Sequence, residues 1–119
     1  MNSAEERKVV IREAAAKGAE MLDQRWPGWH GKVNPAQLAM ISWYRCIGGQ
    51  LGGGYDEVTG NPYTQTMERL GLSEATAGDY GFTLDYLSPP PRPEDWRQLD
   101  RYWRVLIAQR RQRRLPDAA

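Results

Sequence analysis

The sequence has very few of the residues that build metal sites and nucleophilic centres. It contains one histidine, His30, and one cysteine, Cys46, so no internal disulfide can form. A metal site would have to recruit carboxylates such as Asp23 or Asp56, and their spacing does not support one. A thiol nucleophile would need His30 beside it, whereas Cys46 lies in an apolar, helix-like stretch where a free cysteine usually packs as a small hydrophobic residue. We therefore predict no catalytic residue, no metal and no cofactor, and expect that the protein is not an enzyme.

Long apolar runs are also missing. No stretch approaches the roughly 20 apolar residues that span a bilayer, and the first residues, Met-Asn-Ser-Ala-Glu-Glu-Arg, are not typical of a secretory signal. We expect a cytoplasmic protein without a membrane partner. The 119 residues suit one domain, residues 1–119, with a flexible tail at about 115–119. The net charge of +1 neither favours nor excludes nucleic acid.

The spacing of apolar residues and the helix caps predict an all-α fold. Ser3 and Glu6 form a capping box for a first helix that runs to about Gln24, and Pro27 ends it. A second long helix is expected over Pro93–Arg114, because Pro93 and the acids after it suit a first turn. The predicted architecture is a compact single-domain bundle of four to five helices, in which the long N- and C-terminal helices pack together. Its predicted core comprises Val10, Leu22, Trp29, Leu38, Trp43, Ile47, Leu51, Leu70, Phe82, Trp96, Leu99, Trp103 and Leu106.

The segment after Asn34 permits two interpretations. Asn34 is a typical N-cap, and Pro35 suits the first helical position. The helix that they start either continues to Gly48, or is a single turn after which Ser42 caps a new helix. Both interpretations bury Trp43.

Five glycines then fall within residues 48–54. They lack the Lys-Ser/Thr pair and the preceding apolar strand of a phosphate-binding loop, so we interpret them as sites of close helix contact or as a flexible helix end. A short helix is predicted from about Tyr63 to Leu70, with Gly71 as its C-terminal cap. Ser73 is expected to cap a further helical turn.

Short motifs spread over nearly the whole chain, and the stretch from Cys46 to Tyr55 is the most specific of them. The motifs are Leu22-Asp23, Pro27-Gly28-Trp29, Leu38-Ala39-Met40 with Ser42, Cys46-Ile47, Gly49-Gln50-Leu51, Tyr55, Leu70-Gly71, Gly81-Phe82 and Tyr102-Trp103. Together they resemble a group of small uncharacterised proteins of actinobacteria and their phages, which has no known activity. The resemblance implies a phage-derived origin and a helix cap at Ser42, which favours the two-helix interpretation. The group usually has a bulky residue in place of Gly52, from which we expect a looser helix end in this chain. Its hosts are bacteria, so the expected cytoplasm would be that of a bacterial host.

The C-terminal helix carries a row of arginines beside its apolar face. Six arginines and no acid lie between Arg101 and Arg114. Arginine and aromatic residues are the usual anchors of protein interfaces. We predict a non-enzymatic binding protein that engages a host protein through an Arg/aromatic surface. The predicted contacts are Arg97, Arg101, Arg104, Arg111, Trp26 and Tyr44.

Two alternatives use the same features. In the first, the basic end of the helix binds nucleic acid through phosphate contacts made by Arg110, Arg111, Arg113 and Arg114. In the second, the protein is a self-associating structural protein, a homodimer that buries its aromatic surface across a two-fold axis. The arginines also permit a purely structural interpretation, in which they are solvated at the helix end and their positive charges stabilise the negative end of the helix dipole.

Overall fold

The structure, a computed structural model, describes residues 4–53 and 60–114. Its helices are α1 (Ala4–Arg25), α2 (Trp29–Lys32), α3 (Ile47–Leu51), α4 (Pro62–Leu70), α5 (Glu74–Ala77) and α6 (Pro93–Arg114), with 3-10 turns at Pro35–Gln37 and Gly78–Tyr80. The predicted all-α, compact single domain with long N- and C-terminal helices is confirmed. Some predicted features lie outside the described residues: the Ser3 cap, Gly54, Tyr55, Asp56, the side chain of Arg114 and the tail at 115–119.

The two long helices pack against each other and run in the same direction. Arg7 near the start of α1 binds Asp95 near the start of α6, and Asp23 near the end of α1 binds Arg110 near the end of α6. Between these pairs Gly18 allows close approach, because a Cβ there would lie 2.0 Å from the carbonyl oxygen of Tyr80 and 3.0 Å from the ring of Trp103. The intervening chain must therefore travel back along the domain before α6 begins.

The segment between α2 and α3 confirms the single-turn interpretation of Asn34. The Asn34 side chain accepts a hydrogen bond from the Ala36 N–H at 3.0 Å, and the 3-10 turn that it caps ends at Gln37. The predicted helix starting at Ser42 is wrong: α3 begins at Ile47, with the sulfur of Cys46 accepting the Gly49 N–H at 3.2 Å.

Ser42 nevertheless caps a turn, since its hydroxyl oxygen accepts the Arg45 N–H at 3.2 Å. Residues 42–45 thus form a turn in place of the first helical residues. Trp43, predicted to be buried, is consequently 49% exposed.

Gly48 in α3 and Gly52 at its C-cap let this helix pack closely against α4, as predicted for sites of close helix contact. The looser helix end expected at Gly52 is wrong, because a bulky residue would not fit there. A Cβ on Gly48 would lie 3.0 Å from the Tyr63 ring, and one on Gly52 would lie 2.3 Å from the carbonyl oxygen of Pro62. Thr66 of α4 adds a buried hydrogen bond of 2.6 Å to the carbonyl oxygen of Gly48. The two short helices α3 and α4 therefore form one closely packed pair.

The predicted caps around α4 and α5 are confirmed. Gly71 ends α4 with a φ of 75°, a left-handed conformation that glycine adopts without strain. Ser73 caps α5 by accepting the Thr76 N–H, and the Thr76 hydroxyl accepts the Ser73 N–H in return.

Most of the predicted core is buried. The confirmed members are Leu22, Trp29, Leu38, Ile47, Leu51, Leu70, Phe82, Leu99 and Trp103, and Trp96 and Leu106 are half-buried against them. Besides Trp43, the prediction is wrong for Val10, which is 36% exposed because Ile11 occupies the buried face of α1. That face continues through small residues, Ala15 and Ala19, and these let α1 lie close to α6.

Candidate interaction surface

Three large apolar side chains project from the loop between the 3-10 turn and α3. Ile41, Trp43 and Tyr44 are 67%, 49% and 56% exposed, and the rings of Trp43 and Tyr44 meet edge to face with centroids 5.1 Å apart. Met40 and Cys46 on either side of them are buried and anchor the loop. We call residues 41–44 the aromatic loop. The exposure predicted for Tyr44 is confirmed. No local pattern had indicated that Trp43 would also be exposed.

Hydrogen bonds fix the segment just before the aromatic loop to α6. The Met40 N–H donates to the Asp100 carboxylate at 2.7 Å. Arg104 donates to the carbonyl oxygens of Pro35 and Leu38, at 3.1 and 2.8 Å. Burial raises the pKa of Asp100, although the Met40 N–H and Arg104 act in the opposite direction. The chain that leads into the aromatic loop is therefore tied to the stretch of α6 that also carries Arg97 and Arg101.

Arg97 and Arg101 are exposed, and neither forms a hydrogen bond or ion pair with any residue that the structure describes. They line the same side of α6 as Val105, itself 49% exposed. We call Ile41, Trp43, Tyr44, Arg97 and Arg101 the interaction surface. It combines solvent-exposed rings with two unneutralised cations one helical turn apart.

Two other arginines of the predicted row serve the fold. Arg104 holds the loop before α3, as described above. Arg111 donates from its Nε and Nη2 to the carbonyl oxygen of His30, at 3.1 and 2.7 Å, and also bonds the carbonyl oxygen of Val33. The helical spacing correctly placed these arginines on one side of α6, but their guanidinium groups are directed to backbone carbonyls of the domain.

The arginines predicted to contact phosphates also differ in whether their side chains are bound within the domain. Arg110 is only 8% exposed and forms an ion pair of 2.9 Å with Asp23. Asp23 also accepts the indole N–H of Trp29 at 2.9 Å. Burial opposes ionisation of Asp23, but the hydrogen bonds from Arg110 and Trp29 outweigh it and lower the pKa of this carboxyl. Arg113 is exposed. Of the predicted phosphate contacts whose side chains the structure describes, only Arg113 is therefore free to meet a phosphate.

Trp26, predicted to be an exposed contact, is 6% exposed. Arg69 of α4 covers its ring, with the guanidinium carbon 3.5 Å from the ring centroid, and Lys32 approaches to 5.9 Å. The burial of Trp26 could have been predicted from its spacing. It lies four residues after Leu22, so both side chains are on the buried face at the end of α1.

An aromatic groove opens next to the aromatic loop, and no sequence pattern predicted it. A cavity of about 370 Å³ has a floor of Met40, Cys46, Phe82 and Trp96. Its lining residues come from four segments far apart in the chain, around residues 40–46, 63, 82–85 and 91–96, which explains why spacing did not reveal it. Burial raises the pKa of the Cys46 thiol to about 11, so the groove holds no thiolate at neutral pH.

Within residues 4–53 and 60–114, no group of three or more His, Cys, Asp or Glu side chains could hold a metal ion. Among the helices in those ranges, none is long and apolar enough to cross a membrane. No family model, curated protein or solved structure matches the chain, so its resemblance to actinobacterial and phage proteins stays a prediction.

Proposed function

We propose that this chain is a non-enzymatic binding protein, of phage-derived origin, that engages an acidic host protein in the bacterial cytoplasm through the interaction surface. One observation carries the proposal: the exposed rings of Trp43 and Tyr44 follow a segment that is hydrogen-bonded to α6 at Asp100 and Arg104, and the same stretch of α6 carries two exposed arginines, Arg97 and Arg101, without internal partners. The contacts first predicted at Trp26, Arg104 and Arg111 are not included, because those side chains are used inside the domain.

The aromatic loop has the properties of an interface anchor. Tryptophan and tyrosine dominate the few residues that carry most of the binding energy in protein interfaces, where truncation costs about 2 kcal/mol or more. A loop held at both ends by buried Met40 and Cys46 also loses little conformational freedom when it binds. The exposed Ile41, Trp43 and Tyr44 therefore offer a large apolar contact at a small cost in ordering.

The positive charges of Arg97 and Arg101 favour a partner whose contacting surface is acidic. An acidic patch would approach them faster than a neutral one, and the association would weaken as salt screens the charges over a Debye length of about 8 Å at physiological ionic strength. Arg110 and Arg111 are held by Asp23 and by backbone carbonyls, which supports a protein partner over nucleic acid.

The proposal is tested by capture from a nuclease-treated actinobacterial lysate on the immobilised chain, followed by mass spectrometry. Trp43→Ala and the double variant Arg97→Glu/Arg101→Glu alter the interaction surface. The matched control is Arg12→Glu/Arg113→Glu, which makes the same charge change at exposed positions elsewhere. We expect one acidic protein in stoichiometric amount with the wild type and the control, and its loss with both surface variants.

Equal capture by the surface variants would contradict the proposal, as would the absence of any stoichiometric protein. Material that disappears with nuclease treatment would favour the nucleic-acid alternative. Light scattering on the purified chain addresses the third alternative, since a stable dimer that is lost in Trp43→Ala would assign the aromatic loop to self-association.

A further inference from the structure

The aromatic groove is longer than the cavity beside the aromatic loop. A second cavity, of about 520 Å³, continues from the first and shares Tyr63, Thr83 and Asp85 with it. Aromatic side chains line both parts: Trp43 and Trp96 the first, Tyr63 both, and Tyr86 the second. A groove of this extent accommodates several residues of an extended peptide.

Two carboxylates face this groove without a cation of their own. Asp85 lines both cavities and Glu74 lines the second. Both are exposed, and neither side chain forms an ion pair or hydrogen bond with a described residue. Burial raises the pKa of Tyr63 to about 12, and the negative charges of Asp85 and Glu74 act in the same direction. The two carboxylates therefore make the second cavity, and its junction with the first at Asp85, negatively charged.

We propose that the aromatic groove binds a cationic side chain, arginine or lysine, presented between apolar residues of an extended peptide segment. An aromatic wall attracts a cation through the negative face of its rings, and a carboxylate next to the wall forms an ion pair with that cation. Met40, Phe82 and Trp96 on the floor would cover the apolar neighbours of that cation. The inference rests on the proposed function in one respect, namely that the same protein partner carries the segment.

Other occupants fit the groove less well. Asp85 and Glu74 would repel an acidic segment. A purely apolar segment would remove water from these carboxylates without giving them a partner, which costs free energy. A second copy of this chain could supply Arg97 or Arg101 as the cation, and the experiment distinguishes that case.

The test uses three synthetic peptides and the full, ¹⁵N-labelled chain at low ionic strength. The peptides are acetyl-Ala-Leu-X-Leu-Ala-amide, in which X is arginine, glutamine or glutamate. Titrations are followed by NMR through the indole N–H signals of Trp43 and Trp96. We expect the arginine peptide to shift these signals and to bind about fivefold more tightly than the glutamine peptide, with the glutamate peptide weakest. In Asp85→Asn this preference should fall to about twofold or less, whereas Glu20→Gln, at an exposed position on α1, should retain it.

Three results would overturn the inference. These are equal affinity for the three peptides, an unchanged preference for arginine in Asp85→Asn, or indole shifts that depend on protein concentration without any peptide, which would identify a second copy as the occupant. Failure here is separable from failure of the proposed function. If the peptides do not discriminate but Arg97→Glu/Arg101→Glu still loses the captured protein, only the groove is wrongly assigned. If the peptides discriminate and capture fails, the groove stands without the acidic host partner.

Discussion

The guanidinium of Arg7 donates a hydrogen bond of 2.8 Å to the carboxylate of Asp95, and both side chains are less than 10% exposed. Arg7 also donates to the carbonyl oxygen of Pro89 at 3.1 Å, while Asp95 accepts the Arg92 N–H at 2.9 Å. One ion pair therefore joins α1, the proline-rich segment at residues 88–92 and the first turn of α6. We expect loss of this ion pair to loosen the start of α6, the helix that carries Arg97 and Arg101.

Replacing Asp95 with asparagine should destabilise the domain by about 3 kcal/mol, because the Arg7 charge stays buried without its partner. Urea unfolding followed by circular dichroism measures this. The matched control is Glu94→Gln on the neighbouring residue, whose carboxylate is exposed and contacts only the exposed Arg92 at 3.3 Å among the described residues. The control should lie within about 0.5 kcal/mol of the wild type. Similar stabilities for the two variants would show that the buried pair contributes little.

The same carboxylate predicts the behaviour of the protein in acid. Burial opposes ionisation of Asp95, but the Arg7 and Arg92 contacts outweigh it and hold its pKa below the usual 3.8. A pKa that is lower in the folded state gives stability that is present above about pH 4 and lost as the pH falls through the folded value. We expect the free energy of unfolding to drop on acidification below pH 4, and to drop less steeply in Asp95→Asn. Identical slopes for the two proteins would contradict this assignment.

Arg111 and Arg113 should differ in their effect on stability although they are two residues apart on α6. Arg111→Ala leaves the carbonyl oxygens of His30 and Val33 without their donor and should cost about 1–3 kcal/mol. Arg113 is exposed, so Arg113→Ala should change stability by less than about 0.5 kcal/mol. Thermal unfolding of the two variants provides the comparison. Equal losses would show that helix-end charge, and not these hydrogen bonds, determines the contribution of the arginines.

The Cys46 thiol should resist alkylation in the folded protein. It is 1% exposed, and burial raises its pKa to about 11, so almost no thiolate forms at pH 8. Iodoacetamide labelling followed by intact-mass measurement should show an unmodified folded chain and complete modification in urea. Rapid labelling of the folded protein would mean that the floor of the aromatic groove opens in solution.

Local signals along the chain predicted the helices better than they predicted the surface. Asn34, Gly71 and Ser73 cap their segments as expected, because a cap depends on residues two to three positions away. The state of each tryptophan depends on distant residues. Trp26 is covered by Arg69, which lies on another helix, and Trp43 became exposed because α3 starts four residues later.

The candidate site was predictable only in part, for a similar reason. Spacing on α6 indicated a row of arginines, and two of them, Arg97 and Arg101, are free to meet a partner. The spacing could not indicate that Arg104 donates a hydrogen bond to the carbonyl oxygen of Leu38, 66 residues earlier in the sequence. The aromatic groove was missed altogether because segments that are remote in sequence form its floor.

The parallel arrangement of α1 and α6 has a consequence for how fast the chain folds. Its two ion pairs, Arg7 with Asp95 and Asp23 with Arg110, join residues 88 and 87 positions apart. Helical domains usually fold within microseconds to milliseconds because their contacts are local. Here the interface between the two long helices forms only after a large loop has closed, and the entropy of that closure must be overcome before the interface stabilises the fold. We therefore expect a refolding rate below that of helical hairpins of similar length and closer to that of mixed α/β domains.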